Sequence, residues 1–287
     1  MKNKSNSVII KFFGKALRTL SRKLFYRFTR AQKGISTSRV FSTWEQALSS
    51  CINNGYASYQ ILERTSQSTQ QVLNGEKQYI RDAVAFDTIQ LDYPALFHLL
   101  NLPDSYSGSL VVIDFGGALG STFLACRKLC SNLRIAEWVI VEQPDHVDEG
   151  IKLFADNQVV SFVCSIEELR HKKPSIIIFS GVLMYLENPI STLDKVLKIF
   201  PETPILIDRT IFLKKVSSQS IISTQIVDPS IFGKEMSYPM WIFSEQELLQ
   251  HFIAHQITKF DSLVDPGGLD YFFKGYYIEP SCSVPAA

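Results

Sequence analysis

No stretch of this sequence stays apolar long enough to cross a bilayer, so no membrane-spanning helix is expected. Cysteine is sparse. The five residues, Cys51, Cys126, Cys130, Cys164 and Cys282, are an odd number, and no two share a CxxC spacing. That argues against a disulfide framework or a zinc ribbon and fits a reducing cytoplasm. Cys126 and Cys130 stand one helical turn apart, a spacing that reflects packing. The five histidines, His98, His146, His171, His251 and His255, show no pairing that singles out a base. His251 and His255 are at i and i+4, but no acid pattern completes a metal set. There is no internal repeat and no low-complexity tract. Charged residues make up 20% against 46% hydrophobic, which excludes global disorder and allows a substantial core.

Acid is also missing, from one end only. Before Glu45 there are eleven Lys or Arg and no Asp or Glu; the remaining 18 basic and 28 acidic residues leave the rest of the chain at net −10. The two parts should meet different surroundings. Residues 8–30 read as a basic amphipathic helix: Ile10, Phe13, Leu17, Leu20, Leu24 and Phe28 form one stripe, and Lys11, Lys15, Arg18 and Arg22 another. Such a helix can lie on an anionic membrane surface. It can equally remain a solvated tail. Lys11 and Lys15 interrupt what a signal peptide would need as its apolar core. No groove-reading motif supports nucleic-acid binding. Residues 34–42 read as a linker. Thr43 is expected as an N-cap, with helical patterns over 61–73 and 79–86 and another apolar stripe over 86–102, giving a helical layer from 41 to 107.

From 108 to 280 the pattern becomes strand, helix, strand, as in an α/β domain with a parallel sheet covered on both faces. Strands are expected at 110–113, 138–141, 159–163, 175–179 and 204–207. Two more, 257–264 and 271–278, should close the sheet as an antiparallel pair. A late helix is expected over 245–255. The stretch 109–129 organises the rest. A buried apolar strand ends at Asp114; Gly116, Gly117 and Gly120 form a turn; an amphipathic helix starts at Ser121. Strand, acid, glycine turn and helix make the first unit of a nucleotide-type cofactor site. A dinucleotide turn wants glycine at its first, third and sixth positions, but Phe115 occupies the first. The run instead resembles motif I, D/E-x-G-x-G, of the class I S-adenosyl-L-methionine (SAM) methyltransferases, with Ala118 where a second glycine is usual.

Glu142 ends the second strand, 22 positions after Gly120, where an acid accepts from the hydroxyls of a cofactor ribose, of NAD or SAM alike. Gln143 is then a candidate for the adenine side and Ser165, after the third strand, for the adenine wall. After the fourth strand, Ser180 and Val182 would line the methyl-donor pocket, and Tyr185 could face the acceptor. Asp208 and Arg209 follow the fifth strand: Asp208 is the candidate base and Arg209 a clamp for an acidic group on the substrate. An Asp–Arg structural pair is the competing reading. Residues 238–244, YPMWIFS, are read as an aromatic loop, with Tyr238 and Trp241 available to stack on a sugar or apolar substrate, or simply to pack over the sheet edge.

Several of these segments together (43–48, 55–56, 86–90, 114–121, 141–143, 207–210 and 238–244) resemble a SAM-methyltransferase family of bacteria. That family is often encoded among genes for cell-surface polysaccharides. The resemblance covers about residues 41–279. It implies a Rossmann-like seven-stranded methyltransferase sheet and SAM as methyl donor. The expected acceptor is a sugar, sugar nucleotide or lipid-linked glycan, methylated on oxygen by a cytoplasmic or peripheral membrane enzyme. A non-catalytic methyltransferase-fold binding protein is the alternative. A nicotinamide oxidoreductase is a third, opposed by Phe115 and the terminal hairpin.

Overall fold

The central strands are apolar at successive positions because both of their faces are covered. In the computed structural model, which describes residues 34–281 apart from 36, 38, 53–58, 90–93, 106, 228, 234 and 262–266, the chain begins with β1 (Gly34–Ile35). The basic segment 8–30 lies outside the described residues. Next come α1 (Trp44–Ser49), α2 (Tyr59–Leu73) and a hairpin of β2 (Tyr79–Arg81) and β3 (Val84–Phe86). After α3 (Pro94–Asn101) the main sheet starts: β4 (Leu110–Phe115), α4 (Ser121–Leu129), β5 (Ile135–Val141), α5 (Pro144–Leu153), β6 (Val160–Val163), β7 (Ile176–Ser180), α6 (Pro189–Ile199) and β8 (Ile205–Leu213). An insertion follows, β9 (Ile221–Val227), α7 (Pro229–Phe232) and β10 (Met236–Ile242). The chain then returns through α8 (Glu245–Leu249) to β11 (His255–Asp261) and β12 (Tyr271–Pro280).

The main sheet has seven strands in the order β6-β5-β4-β7-β8-β12-β11. The pairs among β4 to β8 are parallel, and β12 runs antiparallel to both β8 and β11. Counted in chain order within the sheet, this reads 3-2-1-4-5-7-6, the Rossmann-like methyltransferase topology that the sequence implies. Alternation divides the apolar residues between two cores. Val112, Trp138, Ile140, Ile176 and Ile178 join Phe123 of α4 and Val147 of α5. Ile113, Val139, Ile177 and Phe179 join Leu193 and Val196 of α6, with Met240 and Ile242 of β10. Side chains of this size contribute about 1.5–3 kcal/mol each on full burial, so these two layers dominate the favourable side of folding.

Five expectations are corrected. Residues 79–86 form a hairpin instead of a helix. The two turn residues, Asp82 and Ala83, both have positive φ, 49° and 62°, which is the backbone of a tight type I′ connection. Residues 34–42 are not simply a linker: β1 pairs with β9, and Phe41 bridges to Ile222. The fifth parallel strand does not stop at Ile207 but runs through Asp208, Arg209 and Thr210 to Leu213. Residues 238–242 lie in strand β10 instead of a loop, and the late helix is short, with β11 already starting at His255. Thr43 is the N-cap of α1 as expected, its hydroxyl accepting from Gln46 N–H at 3.3 Å.

β1, β9 and β10 form a second sheet of three strands. Its Met240 and Ile242 face join the main core. The opposite face carries Ser237 and Trp241: Ile52 N–H donates to the Ser237 hydroxyl at 2.8 Å, and Trp241 stacks on Trp44 of α1. The insertion is thus clamped between the main domain and the N-terminal layer.

Candidate active site at the carboxyl edge of the sheet

The candidate residues collect at the carboxyl ends of β4, β5, β7 and β8, around the point where the sheet order reverses between β4 and β7. Asp114 is 1% exposed and lies beneath the glycine turn. Trp138 donates its indole N–H to Asp114 Oδ2 at 3.2 Å. Burial drives the Asp114 pKa upward. The hydrogen bonds from Trp138 and Thr122 pull it down and the Glu142 charge adds to the rise; burial prevails, and the pKa reaches about 7.

The turn is tight for reasons internal to the chain. A Cβ on Gly117 would stand 2.6 Å from Asp114 Cγ, and one on Gly116 would stand 2.2 Å from Val182 Cγ2. Gly116 also has φ +69°. Ala118, where a glycine is usual, adopts the left-handed conformation itself, with φ +49°. Its N–H donates to Glu142 Oε1 at 3.2 Å, while Gln143 N–H donates to Oε2 at 2.8 Å. The Glu142 carboxylate therefore reaches the glycine turn from the neighbouring strand. Gly120, with φ +80°, is the N-cap of α4 and offers no side-chain cap to its first turn.

On the other side of the switch point, Gly181 N–H donates to Asp208 C=O at 3.0 Å, which ties the β7 turn to β8. Ser180 pairs with Asp208 across the two strands. A 3-10 turn, Leu183–Tyr185, follows Val182, and Tyr185 N–H donates to Val182 C=O at 2.8 Å. Tyr185 donates its hydroxyl proton to Gln225 Oε1 at 2.7 Å and meets the Tyr238 ring edge-on at 5.2 Å. Asp208 is 4% exposed; its Oδ1 accepts from Arg209 N–H at 2.7 Å. Arg209 has φ +50° and sends Nη2 to both carboxylate oxygens of Asp82, at 2.9 and 3.0 Å. The β2–β3 turn is thereby brought against β8.

The structure thus brings Asp114, Gly116, Gly117, Gly120, Glu142, Ser180, Val182, Asp208 and Arg209 to one edge, with Tyr185 and Tyr238 beside them. Gln143 is exposed at the N-cap of α5. Ser165 caps the short turn Ile166–Leu169 in a capping box with Glu168. Trp241 stands on the far face of the small sheet, its N–H donating to Glu187 C=O at 3.3 Å. Sequence reasoning missed Arg81, Asp82 and Gln225. Asp82 stands in a turn without glycine, and Gln225 in the β-branched run IISTQIV, whose strand signal was available. Among the described residues, no group of His, Cys, Asp and Glu is arranged to hold a metal ion.

Fold and site together define a class: a seven-stranded methyltransferase-type sheet with acid, glycine turn and acid at its switch point. No family model matches the sequence, and no curated protein matches it. Solved structures similar in fold include the N-terminal domain of EvdMO1 with SAH bound, at 9% identity and TM-score 0.48, covering 78% of this chain and 99% of that one. Mitomycin 7-O-methyltransferase MmcR follows at 13% identity and TM-score 0.41, with 65% and 54% covered. The CcbJ methyltransferase of Streptomyces caelestis has 13% identity and TM-score 0.39, with 63% and 87% covered. At such values the likeness says nothing about this chain's reaction.

Proposed function

We propose that this protein is a SAM-dependent methyltransferase acting on a hydroxyl of a sugar or lipid-linked glycan intermediate. The observation that carries the donor assignment is Glu142 Oε1 standing on the Ala118 N–H of the glycine turn, above buried Asp114. A carboxylate has about four acceptor positions, and backbone N–H groups take two of those on Glu142. The rest suit a ribose diol. Asp114 would face the cationic amine end of the donor, with Gly116, Gly117 and Gly120 passing beneath its ribose. Ser180 and Val182 would line the methyl pocket, and Gln143 and Ser165 the adenine side. When bound, the sulfonium supplies an electrophilic methyl, whose carbon–sulfur bond breaks with the electron pair on sulfur as the acceptor oxygen bonds the carbon.

The chain's own part is chiefly positioning. A hydroxyl acceptor also loses its proton, and Asp208 is the buried carboxylate on this edge assigned to take it. Arg209 is assigned to an acidic group of the acceptor, which would exchange with Asp82. The glycan acceptor and a surface-polysaccharide role rest on the sequence resemblance. Residues 8–30 are proposed to hold the protein on an anionic membrane face. Among the described residues no helix is long and apolar enough to cross a membrane.

Isothermal titration with SAM and S-adenosylhomocysteine (SAH) tests the donor. Binding of both is expected; heat from neither removes the enzyme reading and leaves a binding module. Flotation with anionic liposomes, comparing the full chain with one lacking residues 1–33, tests the membrane proposal. Equal flotation would remove it.

A further inference from the structure

We infer that the tip of the β8–β12 ladder, where Lys214, Lys215 and Val216 run beside Leu269, is a second contact with an anionic lipid bilayer and turns the candidate active site toward it. The inference rests on the membrane reading proposed above for residues 8–30 and deepens it. Leu269 and Val216 are the most exposed large hydrophobic side chains among the described residues, at 93% and 90%. They belong to one place. Leu213 is registered against Tyr271, Lys214 N–H donates to Asp270 C=O at 2.8 Å, and the Lys214 ammonium donates to Gly268 C=O at 2.6 Å. Both aliphatic side chains therefore stand on one strapped end, beyond the last buried residues of the two strands, Phe212 and Phe273. Single exposed aliphatics are ordinary, and Ile253, 85% exposed before β11 at the opposite edge, is one of these. Two together on a braced tip form a contact surface.

Charge, chain entry and direction select a bilayer as the occupant. Residues 214–220 hold two lysines and no acid, and in 267–270 the one acid, Asp270, accepts from the Thr37 hydroxyl at 3.1 Å. Aliphatic ends beside exposed lysines suit the headgroup boundary: the first enter it, the second lie against lipid phosphates. The same Thr37 contact places the entry of the N-terminal segment. Gly34, where residues 1–33 join the described chain, is three residues earlier, so the junction lies within about 11 Å of Thr37 by chain reach. The basic stripe and the tip can then meet one surface. Direction follows from the sheet. β8 is parallel to β7 and ends at the same edge; Asp208 is registered against Ser180, the last residue of β7, and five further strand residues carry β8 to Leu213. At about 3.3 Å per residue the tip projects up to roughly 16 Å past the candidate site. A bilayer touching the tip faces that edge, where a lipid-linked acceptor would present its headgroup.

The test is flotation of the full-length protein with phosphatidylcholine vesicles, with and without phosphatidylglycerol. Val216→Ser combined with Leu269→Ser should lower partitioning onto the anionic vesicles tenfold or more, and Lys215→Gln about fivefold. Ile253→Ser, at the opposite edge, should stay within twofold of wild type. All four side chains are exposed, so the variants should keep the wild-type melting temperature. Brominated lipid should quench the tryptophan added by Leu269→Trp and not the one added by Ile253→Trp. Unchanged partitioning of the double variant, or no quenching of Leu269→Trp, overturns the inference and leaves the N-terminal membrane reading standing. A double variant that floats like wild type but loses a dimer seen by light scattering assigns the tip to a second copy of the chain, and overturns it as well. Failure of the wild-type chain to float with anionic vesicles removes both.

Discussion

Arg209 and Asp82, 127 positions apart in sequence, meet at one guanidinium nitrogen that contacts both carboxylate oxygens. Burial acts to raise the Asp82 pKa, but the Arg209 and Arg81 charges outweigh it and hold the carboxyl below its ordinary range. The side chains are 37% and 24% exposed, so solvent screens the pair and its contribution is about 0.5–1 kcal/mol. A depressed folded-state pKa means that this stability is fully present above the unfolded value near 3.8 and is lost as pH falls through the lower folded value. Asp82→Asn should therefore lower urea stability by under about 1 kcal/mol at pH 7, with the difference shrinking toward pH 2. An equal deficit at both pH values would contradict the ionic account.

The adjoining turn residue offers a second measurement. Ala83 holds φ +62° without being glycine. Left-handed backbone disfavours a Cβ by about 1–2 kcal/mol, and glycine's larger unfolded-state entropy returns part of that. Ala83→Gly should therefore stabilise the protein by about 0.5–1 kcal/mol in chemical denaturation. A loss of stability would mean that the methyl group's packing outweighs the backbone strain.

Gly116→Ala places a methyl 2.2 Å from Val182 Cγ2 at a positive φ. Overpacking and backbone strain together should destabilise the protein by about 2–4 kcal/mol. Adding Val182→Ala removes the 2.2 Å contact but leaves the Cβ of residue 182 at 2.7 Å and the φ penalty in place. The double variant should recover part of the loss in thermal unfolding, whereas purely additive losses would show that the two residues do not press on each other.

Asp114 carries an opposing pH signature. Its folded pKa of about 7 is above the unfolded 3.8. Between those values the folded state binds the extra proton, so stability declines as pH rises toward 7 and stays reduced above it. Asp114→Asn keeps an oxygen for the Trp138 N–H and cannot ionise. The variant should gain on the order of 1–3 kcal/mol over wild type between pH 5 and pH 8. Under the methyltransferase reading it should also weaken SAH binding about tenfold or more at pH 8. A pH-independent stability difference would refute the buried-charge account.

The parts legible in the sequence were those where one physical demand prevails. Strands 110–113, 175–179 and 204–207 announced themselves because burial on both faces permits almost nothing polar. Asp114 and Glu142 were legible because each ends such a run beside the glycine turn. The hairpin at 79–86 was not, since Asp82 and Ala83 adopt positive φ without the glycine that marks such turns, and Arg209 helps to hold them there. Gln225 was out of reach for a different reason. Its partner Tyr185 lies 40 residues away, and three consecutive polar residues, Ser223, Thr224 and Gln225, are buried only because the small sheet is covered on both faces. Trp241 shows the reverse: a plausible aromatic in sequence whose place is decided by strand alternation, which turns it toward Trp44.

Ile35 of β1 is registered against Gln225 itself, and Gly34 against Ile226. Both residues of β1 are therefore rungs on the strand of the small sheet that also pairs with β10, so a substitution that breaks the Ile35 rung would loosen β9 before it disturbs the seven-stranded sheet.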